Sequence, residues 1–228
     1  MTEDSTKFSG NGQVWTVDVA GRKVDLPIVS INPNFAISLM MVIDLGVRFG
    51  EHVGKALAEK LAPLRPDVIV GAATLGIPVA IEVSRALGLD DYVVLQKSPK
   101  IHLGDALVQT ISSITSKGEQ RLLLDRQAIP LLEGKRVVVV DDVVASGSSL
   151  KGSVELVRKA GGEVVGIGVI LTEAKDWQPW RGCESWFKPS RIFRSSTIRM
   201  ASGGQFRIAF CEVQRSLITP KLQDSHTR

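Results

Sequence analysis

The sequence predicts an α/β protein, a parallel sheet flanked by helices. Two observations carry that prediction. Residues 137–140 are four valines in succession, and a β-branched run of this kind suits a strand covered on both faces, the environment of a parallel sheet with helices above and below. A strand, a loop of small residues and a helix then recur as a unit, once after Asp67 and once after Arg136. Such alternation builds a parallel sheet through crossover connections. The 228 residues suit one domain of this class, with a sizeable core.

In chain order, residues 36–62 place Ile37, Met40, Met41, Leu45, Phe49, Val53, Leu57 and Leu61 at helical spacing. This predicts one long or broken helix despite Gly46, Gly50 and Gly54. Residues 67–71 read as a short buried strand, followed by the loop Ala72-Ala73-Thr74-Leu75-Gly76 and a helix with Pro78 in its first turn that ends near Gly88. Further strands are expected at 92–95, 120–124, 136–140 and 163–171. Leu150, Val154, Val157 and Ala160 mark a helix that Ser148 or Ser149 can cap and Gly161-Gly162 can end. Residues 191–212 read as a terminal hairpin turned at Gly203-Gly204, and the polar ends 1–12 and 221–228 as disordered tails.

Lys plus Arg number 28 against 24 Asp plus Glu, a net charge of +4. That balance suits an anionic small ligand, and the basic residues are scattered without interleaved aromatics, which argues against a nucleic-acid surface. Cys183 and Cys211 are too few for a disulfide scaffold or a thiolate metal site. Residues 1–12 are polar, and no apolar run approaches the ~20 residues that cross a bilayer, so a cytoplasmic chain without membrane association is expected. His52, His102 and His226 are scattered and pair with no Ser or Cys plus acid, which leaves a hydrolase triad unsupported.

The densest chemistry lies at 137–149, VVVVDDVVASGSS. Asp141 and Asp142 fall at the carboxyl end of a strand, where ligands of open α/β sheets gather, and Ala145, Ser146, Gly147, Ser148 and Ser149 lead into a helix start that can hold a phosphate. The pattern resembles the phosphoribosyl-pyrophosphate (PRPP) motif of type I phosphoribosyltransferases. The resemblance implies that Asp141 and Asp142 contact the ribose hydroxyls and that residues 145–149 wrap the 5′-phosphate. The earlier loop, with Ala73, Thr74, Leu75 and Gly76, is similar to the diphosphate loop of the same family. Gln96-Lys97-Ser98 resembles the basic pair of purine-type members, with Gln96 in place of Arg and Lys97 as a diphosphate contact.

Residues 99–119, rich in Ser and Thr, stand where that family has a mobile flap over PRPP, with Lys100 and Lys117 as its cations. The alternation in LVQTISSIT also fits a surface hairpin. The adenine-specific members carry a flap Glu that assists the base. Here the segment is Ile111-Ser112-Ser113-Ile114; Glu119, a few residues later, is the candidate catalytic acid if the alignment shifts, and otherwise reads as a solvated turn carboxylate. Over roughly residues 24–210 the chain looks closer to xanthine phosphoribosyltransferases and to the purine repressor's effector domain. That resemblance implies base contacts from Asn32, with Asn34 competing for the place, and from Lys175; Trp177 is available to stack on a flat base, and Trp177, Trp180, Trp186 and Phe187 also read as a small hydrophobic cluster. Residues 175–213 would then form a small hood.

The resemblance therefore implies a single phosphoribosyltransferase-type domain over 1–228. It would transfer 5-phosphoribosyl from PRPP to a purine base, with a 6-oxopurine such as xanthine favoured over adenine, and release diphosphate and a nucleoside monophosphate. It further implies Mg²⁺ carried by PRPP rather than caged by the protein, a homodimer and a role in purine salvage. The alternative is a non-catalytic PRPP or nucleotide sensor, motivated by Leu75 and by the missing flap Glu. Against it, only about thirty-five residues precede the first expected helix, which leaves no room for an attached winged helix. A response-regulator receiver also begins with an acid pair after a strand, but it needs a later phospho-accepting Asp, and only Asp176 and Asp224 come after the pair. Gly166 and Gly168 lie inside an apolar run and lack the third glycine of a dinucleotide loop.

Overall fold

The computed structural model describes residues 14–32, 35–101, 104–111, 120–172, 196–199 and 205–210. Its elements are β1 (Val14–Val19), β2 (Arg22–Asn32), β3 (Phe35–Ser38), α1 (Val47–Leu61), β4 (Val68–Ala72), α2 (Gly76–Leu87), β5 (Tyr92–Leu95), β6 (Leu107–Ile111), β7 (Gln120–Leu124), β8 (Arg136–Val144), α3 (Ser148–Lys159), β9 (Glu163–Thr172), β10 (Ser196–Arg199) and β11 (Gln205–Phe210). The main sheet has the order β10-β11-β9-β8-β4-β5. Its five strands from β11 to β5 run parallel, and β10 is antiparallel to β11. The expected α/β architecture is present.

The four valines bury alternately to two sides. Val137 and Val139 join the core under α3, with Leu150, Val154 and Val157. Val138 and Val140 join the opposite core, with Phe49, Val53 and Leu57 of α1 and Val79 and Val83 of α2. A strand that feeds two cores is apolar throughout, which is why its sequence shows a continuous run rather than alternation.

Three expectations are corrected. The helix expected over 36–62 is confined to Val47–Leu61, because residues 35–38 pair with β2 as β3 and the chain then turns at 42–45 before Gly46, whose φ of 79° is left-handed. Gln120–Leu124 is not a strand of the parallel sheet. It returns antiparallel to β6, packed on α3 through Leu122 and Leu124. The hairpin reading of LVQTISSIT thus holds for 107–111, while the tip at 112–119 lies outside the described residues. Finally, Ser148 and Ser149 do not cap α3. Gly147 is the N-cap, at φ 76°, and no side chain caps there.

One element escaped the sequence reading. β1, β2 and β3 form an antiparallel sheet, and its first turn carries positive φ at Ala20 (53°) and Gly21 (84°). The alternation in VWTVDV before Ala20-Gly21 was the signal for it. Val17, Val19, Val24 and Leu26 of this sheet pack into the core of α1 and α2. Arg22 lies 5.7 Å from the Phe49 ring centroid, and the His52 ring nitrogen pairs with the Val19 carbonyl at 3.1 Å.

α1 and α2 touch through a glycine. A Cβ at Gly54 would stand 2.5 Å from the Glu82 Cβ and 2.8 Å from the Glu82 carbonyl carbon. Gly54→Ala gains up to ~1 kcal/mol of helix propensity but forces the two backbones apart. The clash wins, because neither neighbour is the end of a flexible side chain. The expected result is a net loss of about 2 kcal/mol and a fall in Tm of several degrees by thermal denaturation.

Candidate active site at the carboxyl ends of β4 and β8

The connection from β4 leads outward to β5, whereas β8 lies on the other side of β4. Chain direction across the sheet therefore reverses between β4 and β8, and a crevice opens at their carboxyl ends. The ladder between them stops at Gly71↔Val140, while β8 stays paired to β9 as far as Val144↔Thr172. β8 thus runs further than the 136–140 read from sequence. Residues 141–144 keep one neighbour and turn their other edge to a cleft of about 200 Å³. Thr74, Leu75, Lys97, Asp141, Asp142, Val143, Val144, Ala145, Ser146, Gly147, Ser149 and Leu150 line it.

The acid pair sits at the base of the cleft. Asp142 is 7% exposed and Asp141 half-buried, and the Asp142 N–H donates to Asp141 Oδ1 at 3.0 Å. Burial pushes the Asp141 carboxyl up to about 8, the adjacent Asp142 charge pushes the same way, and the Lys97 ammonium pulls it down. Burial also raises Asp142, against the Val143 backbone N–H and Lys97, which lower it. Two crowded carboxylates facing one exposed ammonium form a site that favours a proton, a hydroxyl or a cation over bare negative charge.

The wall beside it is the start of α3. Left-handed Gly147 bends the chain so that Ser146 Oγ lies 2.9 Å from Ser148 Oγ and accepts from the Ser148 N–H at 3.4 Å. The first-turn N–H groups of a helix have no partner within it and carry partial positive charge, so this end suits an anion.

The facing loop is held by glycines. A Cβ at Gly71 would stand 2.4 Å from the Gly76 carbonyl oxygen, and one at Gly76 would stand 3.1 Å from Asp141 Oδ1. Strand end, helix start and acid pair therefore touch without side chains between them. The Ala73 N–H donates to the Leu95 carbonyl at 2.8 Å, which ties the loop to β5, and the Ala73–Thr74 peptide is cis. Gln96 exchanges backbone hydrogen bonds with Leu123 at 2.9 and 2.8 Å. This fixes the strand end from which Lys97 reaches the cleft.

The structure thus gathers Asp141, Asp142, Ala145, Ser146, Gly147, Ser149, Thr74, Leu75 and Lys97 around one space. Ala73 and Gly76 stand behind the lining, Ser148 is engaged with Ser146, and Lys100 is exposed and does not line the cleft. Asn32 ends β2, and its side chain is outside the described residues, as are Glu119, Lys117, Lys175 and Trp177. Sequence reasoning did not single out Val143, Val144 and Leu150, the apolar part of the wall. The positions of Val143 and Val144 inside the acid-pair motif, and of Leu150 directly after it, were the only signal. Among the described residues, no helix is long and apolar enough to cross a membrane.

This fold, with a cleft of paired acids and an anion-ready helix start at the sheet's switch point, suits a sugar-phosphate ligand. The chain belongs to the phosphoribosyl transferase domain family, matched over residues 47–195. An orotate phosphoribosyltransferase of Caldanaerobacter subterraneus is 33% identical over 123 residues, 54% of this chain and 53% of that protein. A xanthine phosphoribosyltransferase of Laribacter hongkongensis is 30% identical over 138 residues, 60% of this chain and 70% of that protein. The chain therefore spans between about half and about two thirds of the length of these relatives. The crystal structure of adenine phosphoribosyltransferase from Rhodothermus marinus superposes with a TM-score of 0.56 at 20% identity, covering 88% of this chain and 94% of that one, a likeness of fold.

Proposed function

We propose that the protein transfers 5-phosphoribosyl from PRPP to a purine base, a 6-oxopurine such as xanthine before adenine, with release of diphosphate. The observation that carries this reading is the meeting of three features in one cleft: the acid pair, the start of α3, and the loop at Thr74 and Leu75 with Lys97 beside it. In this reading Asp141 and Asp142 hold the ribose hydroxyls, and residues 145–149 hold the 5′-phosphate. Ala73, Thr74, Leu75, Gly76, Lys97 and Lys100 serve the diphosphate through backbone N–H groups and charge. Asn32, Lys175 and Trp177 serve the base, 175–213 form the hood, and 99–119 form the flap that excludes water, with Glu119 the acid nearest its end. A cytoplasmic homodimer is the assembly the family resemblance implies.

The reaction needs no protein nucleophile, because the anomeric carbon already bears a leaving group. The chain's task is to position both reactants and to stabilise charge where it develops. Buried Asp142 and half-buried Asp141 fit oxygen ligands of a hard cation, but among the described residues no third acid, His or Cys joins them. Most of the oxygens around such a cation would then belong to PRPP. Bound there, Mg²⁺ would neutralise the departing diphosphate.

Two sequence features support a 6-oxopurine: Ile111-Ser112-Ser113-Ile114 where adenine-type members carry a Glu, and the GIGVILTEAKDWQP segment. The test is diphosphate release from PRPP and Mg²⁺ with adenine, guanine, hypoxanthine, xanthine, uracil and orotate supplied singly. Turnover with xanthine is expected. Turnover with orotate alone would replace the purine assignment. No turnover with any base, while PRPP still raises Tm, would replace the enzyme by the nucleotide sensor.

A further inference from the structure

β6 carries one polar residue in the middle of an apolar face. Leu107, Gln109 and Ile111 alternate toward α3, and Leu107 and Ile111 pack into the core that holds Leu150, Val154 and Val157. Gln109, between them, has both ends of its amide engaged. Nε2 donates to Glu155 Oε2 at 2.8 Å and to the Thr110 carbonyl at 3.2 Å, and Oε1 accepts from the Lys159 ammonium. A carboxylate only accepts and an ammonium only donates, so the amide fits this place in one orientation. Glu155 and Lys159 lie one turn apart on α3, and the bridge therefore fixes β6 along the helix as well as against it. Apolar contact alone is non-directional and would not fix that register. Hairpin and helix also approach closely nearby, since a Cβ at Gly152 would stand 3.1 Å from Ile111 Cγ1 and 3.3 Å from Leu122 Cδ1.

The same hairpin is fastened to the opposite side of the cleft. Leu122 stands across from Gln109 in the β6–β7 register, and Leu123 exchanges both backbone hydrogen bonds with Gln96, beside Lys97. Lys97 and the loop at 73–76 share an anchor in β5, because the Ala73 N–H donates to the Leu95 carbonyl. The β4–β8 ladder that ties this side to the α3 side stops at Gly71↔Val140, before the cleft begins. Beyond that level the hairpin joins the two sides from outside. We propose that Gln109 is a positioning residue: by fixing the β6–β7 hairpin on α3 it sets the separation of the two ends of the cleft, and so governs ligands that reach both. The proposal rests on the PRPP reading above, with the 5′-phosphate at α3 and the diphosphate beside Thr74, Leu75 and Lys97. PRPP spans the two ends, whereas ribose 5-phosphate and inorganic diphosphate each occupy one. A spanning ligand gains from subsites held at the right separation, and one that occupies a single end does not.

Calorimetric titration of the full chain with PRPP, ribose 5-phosphate and inorganic diphosphate, all in Mg²⁺, tests this without turnover. Gln109→Glu sets two carboxylates against each other and breaks the bridge. PRPP affinity is expected to fall at least about tenfold, while the other two ligands stay within about threefold of the native chain. Adding Glu155→Gln is expected to bring PRPP back to within about threefold, because the amide then sits on α3 and donates to a carboxylate on β6 with Lys159 still paired. Gln109→Ala removes the bridge and leaves Leu107 and Ile111 in place, and it decides the matter if Gln109→Glu does not fold. A bridge that served stability alone would lower Tm in these variants and weaken all three ligands alike or none. That result would overturn the proposal and leave the PRPP site standing, as would a double variant that fails to recover PRPP. No binding of PRPP to the native chain would overturn the PRPP reading, and the proposal with it.

Discussion

Replacing Asp141 and Asp142 together by Asn is expected to make the protein more stable and unable to hold PRPP. Burial raises both carboxyls, Asp141 to about 8, above the range near 3.9 expected in the unfolded chain. The folded state then binds more protons than the unfolded state between those values, so stability falls as pH rises from about 4 to about 8. The penalty is absent at the acid end and complete at the alkaline end. Asn has nearly the same shape and no charge, and it removes that slope. Solvent reaching half-buried Asp141 and the nearby Lys97 soften the effect, so the expected gain at pH 8 is on the order of 2 kcal/mol, with a Tm higher by roughly 4–8 °C. Thermal denaturation of both proteins from pH 4 to pH 9 checks this. The two curves should converge at low pH. At the alkaline end of this range, where Asp141 is ionised, PRPP affinity should fall at least about a hundredfold in the variant, because the proposed role of both carboxylates is to accept charge-assisted hydrogen bonds from the ribose. Unchanged affinity in a folded variant would remove the acid pair from the site.

Among the described glycines, Gly71→Ala is expected to have the largest effect of an added methyl group. The added carbon would meet the Gly76 carbonyl oxygen at 2.4 Å, its carbonyl carbon at 2.9 Å and the Ala80 Cβ at 3.0 Å. Two of these atoms are backbone, so relief requires α2 to move away from β4. The cost should reach about 3 kcal/mol or more, at the upper end of overpacking. Ligand binding should fall further than stability alone explains, because Gly76 also abuts Asp141 Oδ1 and the loop between these glycines moves with it. A Tm within about 2 °C of the native protein and unaltered PRPP affinity would show that α2 can slide.

Features that depend on local chemistry were legible. The valine run, the acid pair and the small-residue turn at 145–149 each state a physical requirement in adjacent residues, and the structure brings most of them to one cleft. The features that sequence reading missed depend on partners far along the chain. Residues 36–38 share a helical spacing with residues 40–61, yet β2 offers them a hydrogen-bonded edge, and tertiary pairing overrides the local pattern. Gln120–Leu124 has the composition of a sheet strand, and only its pairing with 107–111 shows which sheet it joins. Val143 and Val144 look like plain strand core in sequence, because nothing local reports that the β4 ladder stops before them, and Val144 and Leu150 are both core and cleft wall.

The N-terminal sheet gives the family boundary a physical meaning. The matched segment begins at residue 47, after β3, yet Val17, Val19, Val24 and Leu26 share one apolar cluster with Phe49, Val53 and Leu57. Cut at that boundary, the matched part would expose to water the inner stripe of its own first helix. The segment that the family model matches is thus smaller than the portion packed into one core, and the antiparallel sheet at 14–38 is part of the difference.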